Sequence, residues 1–93
     1  MFTLLYHYLV VDEDIPKITS FWRKKIKSTI EERLVTRPDT YGKPLRRSLK
    51  GYRKLRVGDY RVIYRIERGT VKIFVIEHRS VVCETAEKRI SRI

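Results

Sequence analysis

RKLRVGDYRVIYRIERGTVKIFVI, residues Arg53 to Ile76, decides the fold, because it divides into three strands joined by two tight turns. Gly58-Asp59 suits a two-residue turn that pairs Val57 with Tyr60. Side chains alternate along a strand with a period of two. Tyr52, Lys54 and Arg56 therefore share a face with Arg61, Ile63 and Arg65, and the opposite face collects Leu55, Val57, Tyr60, Val62, Tyr64 and Ile66. A second turn at Arg68-Gly69 sets Glu67 opposite Thr70. Counting outward from it, Val71, Ile73 and Val75 join the apolar face, while Lys72, Phe74, Ile76 and His78 join the cationic one. One face is built to be buried, and the other offers positive charge to an anionic partner.

Upstream, Met1 to Val10 is apolar and reads as a first β-strand. Asp12, Glu13 and Asp14 then precede Ile15-Pro16-Lys17-Ile18, where a proline in the first turn marks a short helix. Thr19 or Ser20 can cap a longer helix running to about Leu34 or Val35. Its apolar positions, Trp22, Ile26, Ile30 and Leu34 with Ile18 before them, form a stripe at helical spacing. The stripe must bury against the apolar face of the sheet, which makes Trp22 a core anchor rather than a stacking platform. Thr36 to Pro44, with Pro38, Asp39, Gly42 and Pro44, reads as a loop, and Leu45 to Lys50 as a basic lead into the sheet. From about Glu84 to Ile93 a last amphipathic helix runs through Ala86 and Ile90. The expected architecture is one α+β domain over residues 1–93. It has an N-terminal strand, two helices, a three-stranded antiparallel meander with helices packed on one face, and a short C-terminal helix. With 93 residues, the core is expected to cover one face of the sheet and not both.

Lys and Arg number 22 against 11 Asp and Glu, a formal net charge of +11. Nucleic-acid phosphates, anionic membranes and acidic proteins are the usual reasons for such an excess. A membrane-surface protein would need a basic helix whose apolar face is free, and here that stripe is committed to the sheet. The apolar N-terminus has no basic leader and runs into acid, and nothing reaches the length of a membrane span, so no membrane is expected. A single cysteine, Cys83, excludes an internal disulfide and points to the cytoplasm.

Two histidines and one cysteine, without CxxC or HxxxH spacing, offer no metal site, and no glycine-rich phosphate loop is present. No cofactor is implied. The available tools are Lys54, Arg56, Arg61, Arg65, His78, Arg79, the tyrosines and Cys83. They suit RNA cleavage without a metal, in which a ribose 2′-OH attacks the adjacent phosphorus and cations hold the charge that develops on the phosphorane. Four cations on adjacent strands could simply face solvent, but like-charged neighbours cost stability unless something neutralises them, which favours binding. His78 is placed on the cationic face, diagonal to Arg61, where a histidine could shuttle a proton or do nothing. Arg79 follows at the strand's end, with its direction open. His7, in an apolar strand, reads as structural, and Cys83 as a buried small side chain.

The run LRRSLKGYRKLRVGDYRVIYRI, residues Leu45 to Ile66, resembles the RelE/ParE toxin superfamily, and VIEHRSVV, Val75 to Val82, agrees with that family's last core strand. The resemblance implies the toxin of a type II toxin–antitoxin pair, in which RelE-like members cut mRNA in the ribosomal A site without a cofactor. Carried over by position, Lys54 and Arg61 would stabilise the phosphorane, Arg79 would fill the strand-end arginine role, and His78 matches a histidine used by some relatives. Cys83 stands where the family usually has a tyrosine, and Tyr52 stands on the face where some members carry a second lysine. Tyr52, Arg56, Arg65 and Lys72 would then contact RNA. The implied partners are a cognate acidic antitoxin, forming a hetero-oligomer, and the ribosome with its mRNA. The alternatives are a ParE-like inhibitor of DNA gyrase without nuclease activity, or a catalytically decayed RNA-binding homologue.

Overall fold

The three central strands form where the alternation places them: β3 at Arg53–Val57, β4 at Tyr60–Glu67 and β5 at Thr70–His78. The computed structural model, which describes residues 1–91, sets them in a five-stranded mixed sheet of order β1-β5-β4-β3-β2. Here β1 (Thr3–Tyr6) runs parallel to β5, and β2 (Lys43–Pro44) adds a short antiparallel edge to β3. Both turns match expectation: Val57 pairs with Tyr60 and Glu67 with Thr70.

Helix α1 (Ser20–Arg33) lays its stripe on one face of the sheet. Ile26, Ile30 and Leu34 are buried there with Leu55, Val57, Val62, Tyr64 and Ile73. Trp22 is half-buried with its ring 5.6 Å from that of Tyr60, and it closes over the first turn. Gly58 has φ +60°, and a Cβ there would lie 2.4 Å from the Trp22 ring. Gly69 has φ +80° but open space around it. Gly58→Ala is therefore expected to cost about 2–4 kcal/mol, from left-handed strain plus displacement of Trp22. Gly69→Ala should cost only the strain, about 1–2 kcal/mol. Urea unfolding of the two variants measures the difference, and equal costs would remove the Trp22 contact from the account.

Several expectations need correction. The first strand stops at Tyr6, and the chain turns helical from Tyr8 through a π-helical turn at Val10–Asp14 and a 3-10 turn at Ile15–Lys17. An apolar run such as Leu9-Val10-Val11 has no period to tell strand from helix. The expected loop at 36–44 holds a single helical turn, α2 (Pro38–Tyr41), as well as β2. It is pinned by the Tyr64 hydroxyl, which donates to the Pro38 carbonyl at 2.5 Å. The tail forms α3 (Val82–Ser91), and the remainder of the expected helix, to Ile93, lies outside the described residues.

The largest correction concerns the faces. Tyr64 pairs with Ile73 but Ile63 with Val75, which leaves Phe74 as the extra residue of a β-bulge. Beyond the bulge the faces exchange. Ile76 enters the core under α1, Glu77 falls opposite Arg61, and His78 falls opposite Tyr60. Phe74 and Val75 join Ile63, Leu49, Val82 and Ala86 in a second core beneath α3. Helices therefore pack on both faces, not one. The run Ile73-Phe74-Val75-Ile76 is apolar throughout, so its alternation carried no register.

The bulged edge of β5 is closed by a buried ion pair. The last backbone bond from the β1 side is His7 N–H to the Ile73 carbonyl, at 2.9 Å. Next along, Asp14 Oδ2 accepts the Ile76 N–H at 2.9 Å, and Arg89 Nη1 donates to the Phe74 carbonyl at 3.0 Å. Arg89 also grips Asp14 bidentately, at 2.8 and 2.6 Å. Asp14 is 1% exposed and Arg89 4%. One pair thus ties the N-terminal helical segment, the sheet edge and α3 together.

Candidate functional site

The positive charge gathers at the Gly58-Asp59 turn. Arg61 Nη1 donates to the Gly58 and Tyr60 carbonyls, each at 2.9 Å, so the guanidinium is folded back onto the turn. Arg79 reaches the same turn from the end of β5. Its N–H donates to the Asp59 carbonyl at 2.8 Å, and its Nε lies 3.8 Å from Asp59 Oδ1. Arg56 pairs directly with Arg61 in the ladder, and Lys54, opposite Ile63, follows on the same face. Among the described residues Lys54, Arg56 and Arg61 make no ion pair. Three uncompensated cations with Arg79 beside them form a corner that an anion would stabilise.

The other candidates divide. Tyr52, Arg65 and Lys72 lie at the opposite end of this face, where the Tyr52 ring is 5.1 Å from Phe74 and carries the Arg65 guanidinium at 5.6 Å. Glu67 bridges Arg65 at 2.5 Å and Lys72 at 3.0 Å, and the Lys72 hydrogen bond, with the charges of Lys72 and Arg65, holds its carboxyl below the usual range. That end is already partly neutralised, and the apolar cluster under α3 intervenes between it and the Gly58-Asp59 corner.

His78 is not on the cationic face; the bulge turns it to the α1 side. Its ring stands edge-on to Tyr60 at 6.1 Å, and its Nδ1 accepts the Ser80 N–H at 3.2 Å. Cys83 is exposed rather than buried. α3 buries Val82, Ala86 and Arg89, and position 83 falls outside that stripe. His7 is structural as expected: Nδ1 accepts the Leu9 N–H at 3.2 Å, and the ring lies 5.3 Å from Phe74. Among the described residues no cluster of His, Cys, Asp or Glu is placed to hold a metal ion, and no helix is long and apolar enough to cross a membrane.

Sequence reasoning missed Glu77, the carboxyl paired in the ladder with Arg61. Only the bulge puts it there, and the sequence carries no signal for that bulge. Thr85 donates to its Oε2 at 3.3 Å, while burial, and then the negative charge of Asp14, push its pKa up. A raised folded-state pKa favours the protonated form, so this group adds stability below the ordinary glutamate range and loses it as pH rises through the folded value. Glu77→Gln, which keeps an acceptor for Thr85, should raise Tm at pH 7. The gain should vanish below the ordinary carboxylate pKa of about 4.3. A Tm difference that is flat with pH would contradict this.

A family model describing the ParE toxin of type II toxin–antitoxin systems matches residues 6–82, most of the chain. The chain belongs to the RelE/ParE toxin superfamily. Toxin RelE of Mycobacterium tuberculosis is 44% identical over 43 residues, which span 46% of this chain and 44% of that relative. A chain in the crystal structure of the RelBE2 toxin–antitoxin complex from the same organism superposes with TM-score 0.73 at 30% identity, covering 85% of this chain and 92% of its own. A YoeB/ParE toxin from Agrobacterium tumefaciens shares the fold, with TM-score 0.65 at 19% identity over 82% of this chain and 96% of its own. The RelE/ParE match takes in the whole Gly58-Asp59 corner but ends at Val82, so Cys83 and nearly all of α3 lie beyond it.

Proposed function

We propose that this RelE/ParE toxin is a ribosome-dependent mRNA endonuclease whose phosphate-binding centre is the Gly58-Asp59 corner. The observation that carries the reading is the row of Lys54, Arg56 and Arg61 on one sheet face leading to the turn that Arg79 reaches, the first three without an ion-pair partner among the described residues. In the reaction, the ribose 2′-oxygen bonds to the adjacent phosphorus and the bond to the 5′-oxygen breaks. Lys54 and Arg61 hold the extra negative charge of the phosphorane, and Arg79 orients the phosphate. A base takes the 2′-proton and an acid supplies one to the 5′-oxygen. Cys83, exposed in the first turn of α3, is the group proposed for one of those transfers, whereas His78 faces the α1 side and is not placed to serve a phosphate held on Lys54 and Arg61.

Tyr52, Arg65 and Lys72 form a secondary RNA contact at the far end of the face. The proposed antitoxin is an acidic chain that covers the cationic corner, as the net charge of +11 invites. The solved RelBE2 neighbour, itself a toxin–antitoxin complex, supports such a partner. The proposed compartment is the cytoplasm, where ribosomes and mRNA are found.

A second reading has two observations behind it: the matching family model is that of ParE, and Cys83 replaces the tyrosine expected of RelE-like members. Under it the protein poisons DNA gyrase and cuts no RNA. Incubating purified protein with programmed ribosomes separates the two. Cleavage of mRNA in the A site supports the nuclease. Intact mRNA together with inhibited supercoiling by gyrase would replace it with the ParE-like activity.

A further inference from the structure

Where α1 meets the Arg56–Gly58 edge of β3, a second cationic groove lies around the sheet edge from the Gly58-Asp59 corner and shares only Arg56 and Gly58 with it. It encloses about 670 Å³. Lys24, Lys25 and Arg33 line it from α1, and Arg56 from β3. Lys24, Lys25 and Arg56 make no ion pair among the described residues, and the Arg33 guanidinium is steadied over the Tyr41 ring at 5.2 Å. At its margin stands Phe21, 66% exposed, meeting Trp22 edge-to-face at 5.4 Å and 89°. So exposed a ring keeps apolar surface on which a base can pack.

We propose that this groove is a second RNA-binding surface, which holds the phosphates of a single RNA strand on Lys24, Lys25, Arg33 and Arg56 and stacks a base on Phe21. A cationic channel beside an aromatic face is the general arrangement for single strands, since every base has a π-face and every nucleotide a phosphate. The commitment to RNA comes from Glu32, the one carboxylate lining the groove. It repels a phosphate, but it can accept a hydrogen bond from a ribose 2′-OH, the group that distinguishes RNA from DNA. This surface extends the RNA reading above, and it serves affinity rather than chemistry.

Fluorescence anisotropy of the full chain with a short labelled single-stranded RNA, and with DNA of the same sequence, tests the proposal across a salt series. The triple variant Lys24→Gln/Lys25→Gln/Arg33→Gln should bind RNA at least about tenfold more weakly and flatten the log–log salt slope by about 2, at about 0.7 per lost phosphate contact. Phe21→Ala should weaken binding by about fivefold or more with the slope unchanged. Glu32→Gln should narrow the preference for RNA over DNA. The substituted side chains are exposed or half-buried, and melting curves for each variant check that the fold is kept. Unchanged affinity and slope in the triple variant would overturn the groove as an RNA surface. So would loss of binding to polyglutamate with RNA binding intact, which would mark an acidic-protein site. Equal binding of RNA and DNA in the wild type would overturn the assignment of Glu32. Failure to cut mRNA on ribosomes would leave these binding results standing, so the two readings fail separately.

Discussion

Asp14→Asn is expected to destabilise the protein by about 3–5 kcal/mol, the usual cost of leaving a buried charge without its partner. Arg89 is 4% exposed, and Asp14 takes two of its hydrogen bonds. Burial alone would push the Arg89 pKa down, but the hydrogen bonds and charge of Asp14 more than offset this and hold it above its ordinary value. Asp14→Asn removes that support, but an arginine side chain is not deprotonated in proteins, so the guanidinium stays charged and loses its partner. Glu13, 3.6 Å away and half exposed, offers only partial compensation. Replacing both members with apolar residues often costs nothing at a buried pair. Here it should not be neutral, because Asp14 also accepts the Ile76 N–H and Arg89 donates to the Phe74 carbonyl. Asp14→Leu/Arg89→Met would orphan both backbone groups, at about 1–3 kcal/mol each. Urea unfolding of the single and double variants measures this, and a double variant as stable as wild type would show that the pair does not close the sheet edge.

That ion pair also marks where the sequence stopped being legible. Alternation through Lys54–Ile66, broken only at Ile63, with a glycine at each turn, placed β3, β4 and the faces of Lys54, Arg56 and Arg61 correctly. The stripe Trp22, Ile26, Ile30 and Leu34 placed α1 against the sheet for the same reason: a polar residue in the wrong phase would have been visible. No such constraint acts on Ile73-Phe74-Val75-Ile76, where every residue can be buried on either face. The bulge therefore came from tertiary demands, namely a second core under α3 and a carboxylate and guanidinium 75 positions apart to satisfy the bulged backbone. One extra residue moved His78 off the cationic face and put Glu77 on it. The cationic corner was legible because local pattern fixed it, and the positions of Glu77 and His78 were not because they lie beyond the bulge.

Arg61→Ala is expected to slow mRNA cleavage on programmed ribosomes by about 10²–10³-fold, the usual loss when one donor to a developing oxyanion is removed. The estimate rests on how Arg61 is held. Nη1 is spent on the Gly58 and Tyr60 carbonyls, which fixes the plane of the guanidinium, and its remaining donors stay free for a phosphate. Preorganisation of this kind avoids ordering the side chain during the reaction. Arg61→Lys keeps the charge but loses the planar fork, so it should recover only part of the rate. Arg56→Ala, which removes an exposed neighbour on the partner strand, should raise KM more than it lowers kcat. Stability should barely change in Arg61→Ala, because both carbonyls lie at a solvent-facing turn where water can replace the guanidinium, at a cost of about 1 kcal/mol or less. A single-turnover assay separates these effects. Full-rate cleavage by Arg61→Ala would move the phosphorane-binding role away from the Gly58-Asp59 corner. An equal loss in Arg61→Ala and Arg56→Ala, confined to KM, would leave the corner as a binding surface with its chemistry elsewhere.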